Sequence, residues 1–196
     1  TNILPILHYS GLHVIDELTS RFGDDKSTIG YIHAFRVLGN GNKKINESMV
    51  SNRLIELLHA IFSHELPNDP INQLVVNTML TAADCFILQG LRNYAYQLYQ
   101  QQFSKQQLNE CLLKYPEIST QLIELFKFKF TPTRSSERQI NVDSLSKTIS
   151  SSIESVDTLT EDMIFQRFLS ILNACVRTNA YQRSQKNALS FKFECK

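Results

Sequence analysis

A chain of 196 residues in which 20 Lys and Arg face 19 Asp and Glu, for a formal charge of +1, excludes a strongly basic nucleic-acid footprint and long-range electrostatic steering of charged partners. With 42% hydrophobic residues it is not a disordered segment, and its length suffices to bury roughly 70% of the unfolded surface in one large domain or two small ones. No apolar run approaches the ~18 residues of a spanning helix and no charged start leads into an apolar segment, so neither a membrane nor a signal peptide is expected and the default location is cytoplasmic.

The opening residues 1–10 predict a short helix carrying Ile3, Leu4, Ile6 and Leu7, with Gly11 placed as its left-handed cap. Alternation through Leu12, Val14 and Asp16 predicts a strand, and the polar TSRFGDDKST a loop. A second alternating run then puts Ile29, Tyr31, His33, Phe35 and Val37 on one face, so the two runs read as an antiparallel hairpin. After GNGNKK, Asn46 is placed to cap a helix whose stripe is Val50, Leu54, Leu57, Leu58 and Ile61, ending near His64. Pro67 and Pro70 bracket a link, followed by a shorter helix with Ile71, Leu74 and Val75. Thr81 with Asp84 and Ser104 with Gln107 are capping-box pairs that open two amphipathic helices. Their stripes are Leu88, Leu91, Ala95 and Leu98, then Leu108, Cys111, Leu112 and Tyr115. Pro116 suits the first turn of a third helix, with Ile118, Leu122, Leu125 and Phe126 inward and Pro132 as its stop.

Beyond a polar linker, TRSSERQ, helical spacing returns at Val142, Leu145, Ile149, Ile153 and Val156. Thr158 with Glu161 opens a strongly apolar helix through Ile164, Phe168, Ile171, Leu172 and Cys175, expected to be the most buried. A short strand with Leu189, Phe191 and Phe193 closes the chain. The expected fold class is α+β, mainly α: a small antiparallel β hairpin at the N-terminus, a helical body of about six or seven helices, and a short C-terminal strand. The opening without Met and the alternating pattern running to FKFECK read as the ends of a piece cut from something longer.

The search for chemistry returns absences. There is no G-x-G-x-x-G after a strand and no Walker loop, and Gly39, Asn40 and Gly41 lack the strand–turn–helix order that aims amides at phosphate. His59 and His64 are five apart, which does not stack two metal ligands on one helical face, and His33 reads as a core or edge histidine. Cys85, Cys111 and Cys175 fall on or beside apolar stripes and Cys195 is remote, so small core residues are expected and not a metal pair or disulfide framework. Cys111 has no histidine nearby to make a thiolate. Glu47, Glu56, Glu65, Asp69, Glu110 and Glu117 read as surface acids. Arg92, Arg167 and Arg177 lie beside apolar helices, where arginine lays its stem on the core and satisfies carbonyls, a bound anionic effector being the lesser reading. Catalytic, cofactor-binding and metal-ligating residues are therefore assigned to none of the positions.

Five blocks nonetheless carry a resemblance. LLKYPEI (112–118) with LIELFKFKFTP (122–132), ILNACVRTNAYQ (171–182), LSFKFE (189–194), ILPILHYSGLHVIDE with IGYIHAF, and INQLVVNTMLTAADCFILQGLRNYAYQ are similar, in order, to the large NAD-dependent glutamate dehydrogenases. Residues 19–28 and 133–140 have no clear counterpart, and Ala180 stands where that family has an aromatic. The resemblance implies a partial ACT-like module in 1–66, a helical domain in 67–182, and a linker and strand in 183–196 leading to a catalytic domain beyond this chain. It also implies NAD as cofactor of the parent enzyme but none in this segment. Partners would be other domains of the same polypeptide and further copies in a homo-oligomer, with no nucleic acid and no membrane. The missing first strand of the βαββαβ order argues against effector binding here, and it leaves a strand edge open to another copy or to the terminal strand around Phe191. The competing reading is a free-standing helical interaction module whose groove accepts a partner helix.

Overall fold

The computed structural model describes residues 3–23, 28–39, 41, 44–132, 138–182 and 188–194. Asn40, Cys195 and most of the 133–140 linker lie outside the described residues. Helix α1 (Ile3–Tyr9) buries Ile6 and Leu7 and ends at Gly11, whose φ of 82° and N–H bond to His8 O at 3.0 Å form the expected left-handed cap. A Cβ at Gly11 would lie 3.3 Å from Gln73 O, so both the dihedral and the space select glycine.

Strands β1 (His13–Gly23) and β2 (Thr28–Leu38) pair antiparallel, with His13 opposite Leu38 and Phe22 opposite Gly30. The expected loop from Thr19 is thus a strand as far as Gly23. Its polar, solvated residues carry no core-facing alternation, and cross-strand hydrogen bonding alone continues the ladder. Along β1 only Val14 is even half-buried. The hairpin is an arm rooted beside α1.

Helix α2 (Glu47–Phe62) follows, with Val50, Leu57 and Ile61 inward and Leu54 and Leu58 half-buried. Asn46 stands at its N-cap position, but its side chain makes no capping hydrogen bond. A 3₁₀ turn (Pro70–Gln73) runs into α3 (Leu74–Asn77). Next come α4 (Ala82–Tyr99), α5 (Lys105–Lys114) and α6 (Pro116–Phe130), then α7 (Arg138–Ile153) and α8 (Leu159–Ala174). Among the described residues the eight helices, N-terminal hairpin and C-terminal strand pair make an α+β, mainly α fold.

All three capping boxes form. Thr81 accepts from Asp84 N at 3.2 Å, Ser104 from Gln107 N at 3.1 Å and Thr158 from Glu161 N at 3.2 Å, and each third residue bonds back to its cap. Helix α4 sits at the centre, bordered by α2, α3, α5, α6 and α8. Its Leu88 and Leu91 are fully buried, each stabilising by about 1.5–3 kcal/mol relative to exposure. Leu98 is an exception to the predicted stripe, being 50% exposed. Helix α8 buries six residues, fewer than the nine of α4, so the most buried helix is α4 and not, as expected, α8.

The C-terminus departs most from expectation. Cys175 ends α8 and starts strand β3 (Cys175–Thr178), which pairs antiparallel with β4 (Phe191–Phe193). The terminal strand therefore does not complete the N-terminal hairpin. The two sheets are separate two-stranded pairs.

Candidate functional site

The feature that brings most of the informative residues together is a seam, with α4, α5 and α6 on one side and α8 with the β3–β4 pair on the other. At one end is Tyr115, the residue between α5 and α6, fixed by Pro116 in the first turn of α6. Its ring meets Phe165 edge-on, with centroids 5.8 Å apart at 79°. Its hydroxyl donates to Glu161 Oε2 at 3.0 Å and accepts from Asp157 N at 2.9 Å. Lys114 Nζ lies 2.8 Å from Asp157 Oδ2 and 2.7 Å from Glu161 Oε1. These bonds hold both carboxyls below their usual values of 3.8 and 4.5 and push the Lys114 ammonium up. A depressed carboxylate stabilises the fold in full above its ordinary value and loses that contribution as pH falls through its lower folded value. The unfolding midpoint should therefore decline below about pH 4.5, and Lys114→Met should flatten that decline in a pH series.

Truncating Tyr115 to Ala should cost about 3 kcal/mol, from the ring and its two hydrogen bonds. Pro116→Ala should cost under about 1 kcal/mol, because the first-turn N–H it restores needs no helical partner. Urea denaturation of the two variants checks this, and near-equal losses would refute the packing assignment.

Further along the seam, Lys129 Nζ donates to Leu172 O at 2.6 Å and Asn173 O at 3.1 Å, capping the end of α8, while burial lowers the affinity of its amine for its proton. At the far end, Tyr94 of α4 stacks on Phe193 of β4 with centroids 4.1 Å apart and planes within 4°. A Cβ added to Gly90 would sit 2.7 Å from Leu189 Cδ2 and 3.2 Å from the Phe191 ring, so glycine is what lets the terminal strand approach α4. Gly90→Ala should stay within about 1 kcal/mol of the parent chain, helix propensity offsetting a contact that Leu189 can relieve by rotation. Gly90→Val should lose about 2 kcal/mol. Thermal unfolding of both variants gives the order, and an equally stable Val variant would show that the strand is not seated there.

Arg92 is not an open anion site and caps no helix end. It is 1% exposed. Its guanidinium contacts Asp69 through Nη2 at 2.6 Å and Nη1 at 3.4 Å, Asn93 through Nε at 3.0 Å, and Asn109 through Nη1. Asp69, expected on the surface, accepts these bonds as well as the Ile71 N–H at 3.0 Å. Arg167 lies 5.0 Å over the Tyr99 ring, and Arg177 is exposed on β3. Sequence spacing placed Arg92 beside its stripe, but its partners come from the proline-flanked link and from α5, which no local pattern joins.

Cys85, Cys111 and Cys175 are buried. Burial first, with nearby carboxylates adding, pushes the thiols of Cys85 and Cys111 up to about 12, and burial raises that of Cys175. They act as small apolar residues. His59 and His64 are exposed at the end of α2, where His64 has a φ of 59°. His33 is exposed on the hairpin, 2.8 Å from Glu17. Among the described residues no group of three or more His, Cys, Asp or Glu is arranged for a metal ion, and no helix is long and apolar enough to cross a membrane. Two adjoining open clefts of about 350 and 420 Å³ share Lys44, Ile45 and Val50 near the start of α2, and Arg53 at the wall of the smaller one donates to Thr78 O at 2.8 Å.

The geometry defines a helical segment joined through one core to a C-terminal strand pair. Residues 66–132 match the family model for helical motif 3 of glutamate dehydrogenase, and residues 148–196 match the catalytic domain of bacterial NAD-glutamate dehydrogenase. The chain is 28% identical over 202 residues to the NAD-specific glutamate dehydrogenase of Halomonas elongata and 27% over 203 residues to that of Pseudomonas aeruginosa, covering 99% and 100% of this chain. A Mycobacterium tuberculosis protein of the same name is 23% identical over 197 residues, covering 96% of the chain. Along nearly its whole length the chain is similar to the large NAD-specific glutamate dehydrogenases, and it spans about 12% of the length of these relatives. The catalytic-domain match begins inside α7, upstream of the boundary at residue 183 drawn from the sequence. The seam is where the two matched segments meet.

Proposed function

We propose that this chain is a structural and regulatory segment of an NAD-dependent glutamate dehydrogenase, an enzyme that converts L-glutamate, NAD and water to 2-oxoglutarate, ammonia and NADH. The segment itself carries no catalytic step. The observation that supports this reading is the shared core: Tyr94, Gly90 and Phe126 of the helical-motif match hold Leu189, Phe191 and Phe193 of the catalytic-domain match. The helical segment thereby fixes the strands of the catalytic-domain match.

NAD is placed outside this segment, and the sheets of the described residues support that placement. Both sheets are antiparallel pairs, so they supply no parallel strand–turn–helix unit with a glycine cradle for a pyrophosphate. Hydride transfer and the proton transfers at the amino-acid carbon then belong to other parts of the parent enzyme. The helix–strand–strand–helix order of α1, β1, β2 and α2 supports the partial ACT-like reading of 1–66. Other domains of the same polypeptide and further copies in a homo-oligomer are the partners, in the cytoplasm.

Incubation of the 196-residue chain with L-glutamate and NAD should give no NADH absorbance, while the full-length parent protein should produce it. NADH formed by the chain alone would overturn the non-catalytic role. A full-length protein inactive with glutamate would overturn the dehydrogenase assignment.

A further inference from the structure

We propose that the outer edge of β1 pairs antiparallel with β1 of a second copy of this chain, about a two-fold axis through Thr19, joining two hairpins into a four-stranded sheet. This rests on the homo-oligomer reading above and gives it a surface and a register. Among the described residues the hairpin is an isolated two-stranded sheet, so neither outer edge has a strand beside it. It is also an apolar one, with Leu18 69%, Phe22 46% and Ile32 60% exposed on one face. Long exposed edges of this kind are templates for strand addition, and a two-stranded ribbon is marginal by itself.

The charges decide which edge and which partner. Strand β2 contains Arg36 and no acid, so pairing it with itself sets no opposite charges across the junction. Strand β1 carries Asp16, Glu17 and Arg21. In an antiparallel pair related by a two-fold axis normal to the sheet, opposed residues lie on the same face, so their numbers sum to an even value. Asp16 with Arg21 is excluded on that ground. Glu17 with Arg21 is allowed and centres the axis on Thr19, so that each Glu17 opposes the second copy's Arg21, twice per dimer. Both side chains are exposed and share one face with Thr19. The same register sets Leu18 against Ser20 and leaves the Asp16–Arg36 ion pair within each copy.

Sedimentation equilibrium of the 196-residue chain, from micromolar to submillimolar concentration, tests this. The expected result is a monomer–dimer equilibrium that Arg21→Glu weakens by about tenfold or more, and Glu17→Arg likewise, because each sets like charges opposite one another twice. The double swap E17R/R21E should restore association to near the parent value. Glu17→Arg also removes the His33 contact within one copy, a loss that Arg21→Glu cannot repair, so recovery in the double swap is specific to the intermolecular pair. Circular dichroism checks that the helices remain folded in each variant. Self-association indifferent to the swaps, or abolished only by Leu18→Lys, would overturn the edge register while leaving a homo-oligomer. A chain monomeric throughout would overturn both.

Discussion

Replacing Arg92 with Met is expected to lower the stability of the chain by about 3 kcal/mol, a large share of the roughly 5–15 kcal/mol that holds a domain of this size together. The side chain is 1% exposed, and its four hydrogen bonds tie three separate pieces of chain: the link at Asp69, α4 at Asn93 and α5 at Asn109. Methionine fills much of the volume, so the loss is not chiefly a cavity. It is the Asp69 carboxylate left without its counter-charge in a site where its side chain is only 13% exposed. That residual exposure places the expected cost at the lower end of the range for a broken buried pair.

The origin can be isolated by a second substitution. Asp69→Asn keeps an acceptor for the Ile71 N–H and removes the charge, so R92M/D69N should recover 1 kcal/mol or more relative to R92M alone, by the broken-pair logic. Arg92→Lys should fall between parent and Met, since an ammonium has the charge but not the planar fork that reaches Asp69 and Asn109 together. Urea denaturation followed by helical circular dichroism gives all four values. A loss below about 1 kcal/mol for Arg92→Met would mean that the pair is not the clamp described.

Arg92 also shows where the sequence stops being legible. Its place next to Leu91 follows from helical spacing, and so do the three capping boxes, because those signals involve residues three or four positions apart. The Asp69–Arg92 pair spans 23 residues across a turn between prolines. Nothing local distinguishes that aspartate from a surface acid. Strand β3 is hidden for a related reason: Cys175 continues the apolar spacing of α8, so periodicity alone carries the helix one residue into the strand. What converts Cys175–Thr178 to strand is pairing with Phe191–Phe193, residues that are remote in sequence. The extension of β1 past Thr19 is not legible in the sequence because both of its faces meet water, leaving none of the alternation by which strands are recognised. The seam was legible in its parts, as aromatic residues on stripes and on a terminal strand, but not in its assembly. Gly90 gave no sign that it marks the point where the strand lands.

Phe126→Ala is expected to cost about 3–5 kcal/mol, and the way that cost appears bears directly on the coupling role proposed for the seam. Phe126 is fully buried, with its centroid 4.8 Å from Phe130, 6.2 Å from Tyr181 and 6.1 Å from Phe191, the last nearly perpendicular. Aromatic pairs of this kind add about 0.5–1.5 kcal/mol each beyond simple burial. Phe128, two residues on and 45% exposed, points away from the cluster, so Phe128→Ala should stay within about 0.5 kcal/mol and serve as the control. Because Phe126 of α6 packs its ring against Phe191 of β4, its loss should be felt unevenly. Hydrogen exchange should show the β3–β4 amides losing protection first and most, while the amides of α4 fall only with global stability. If β4 separates before the helices melt, the denaturant slope of the main transition also falls, since less surface remains to be exposed in it. Uniform loss of protection across α4, α6 and β4 would instead make the strand pair an inseparable part of the helical core. The helical segment would then hold the entry to the catalytic domain rigidly, with no hinge at the seam through which a signal from upstream could pass.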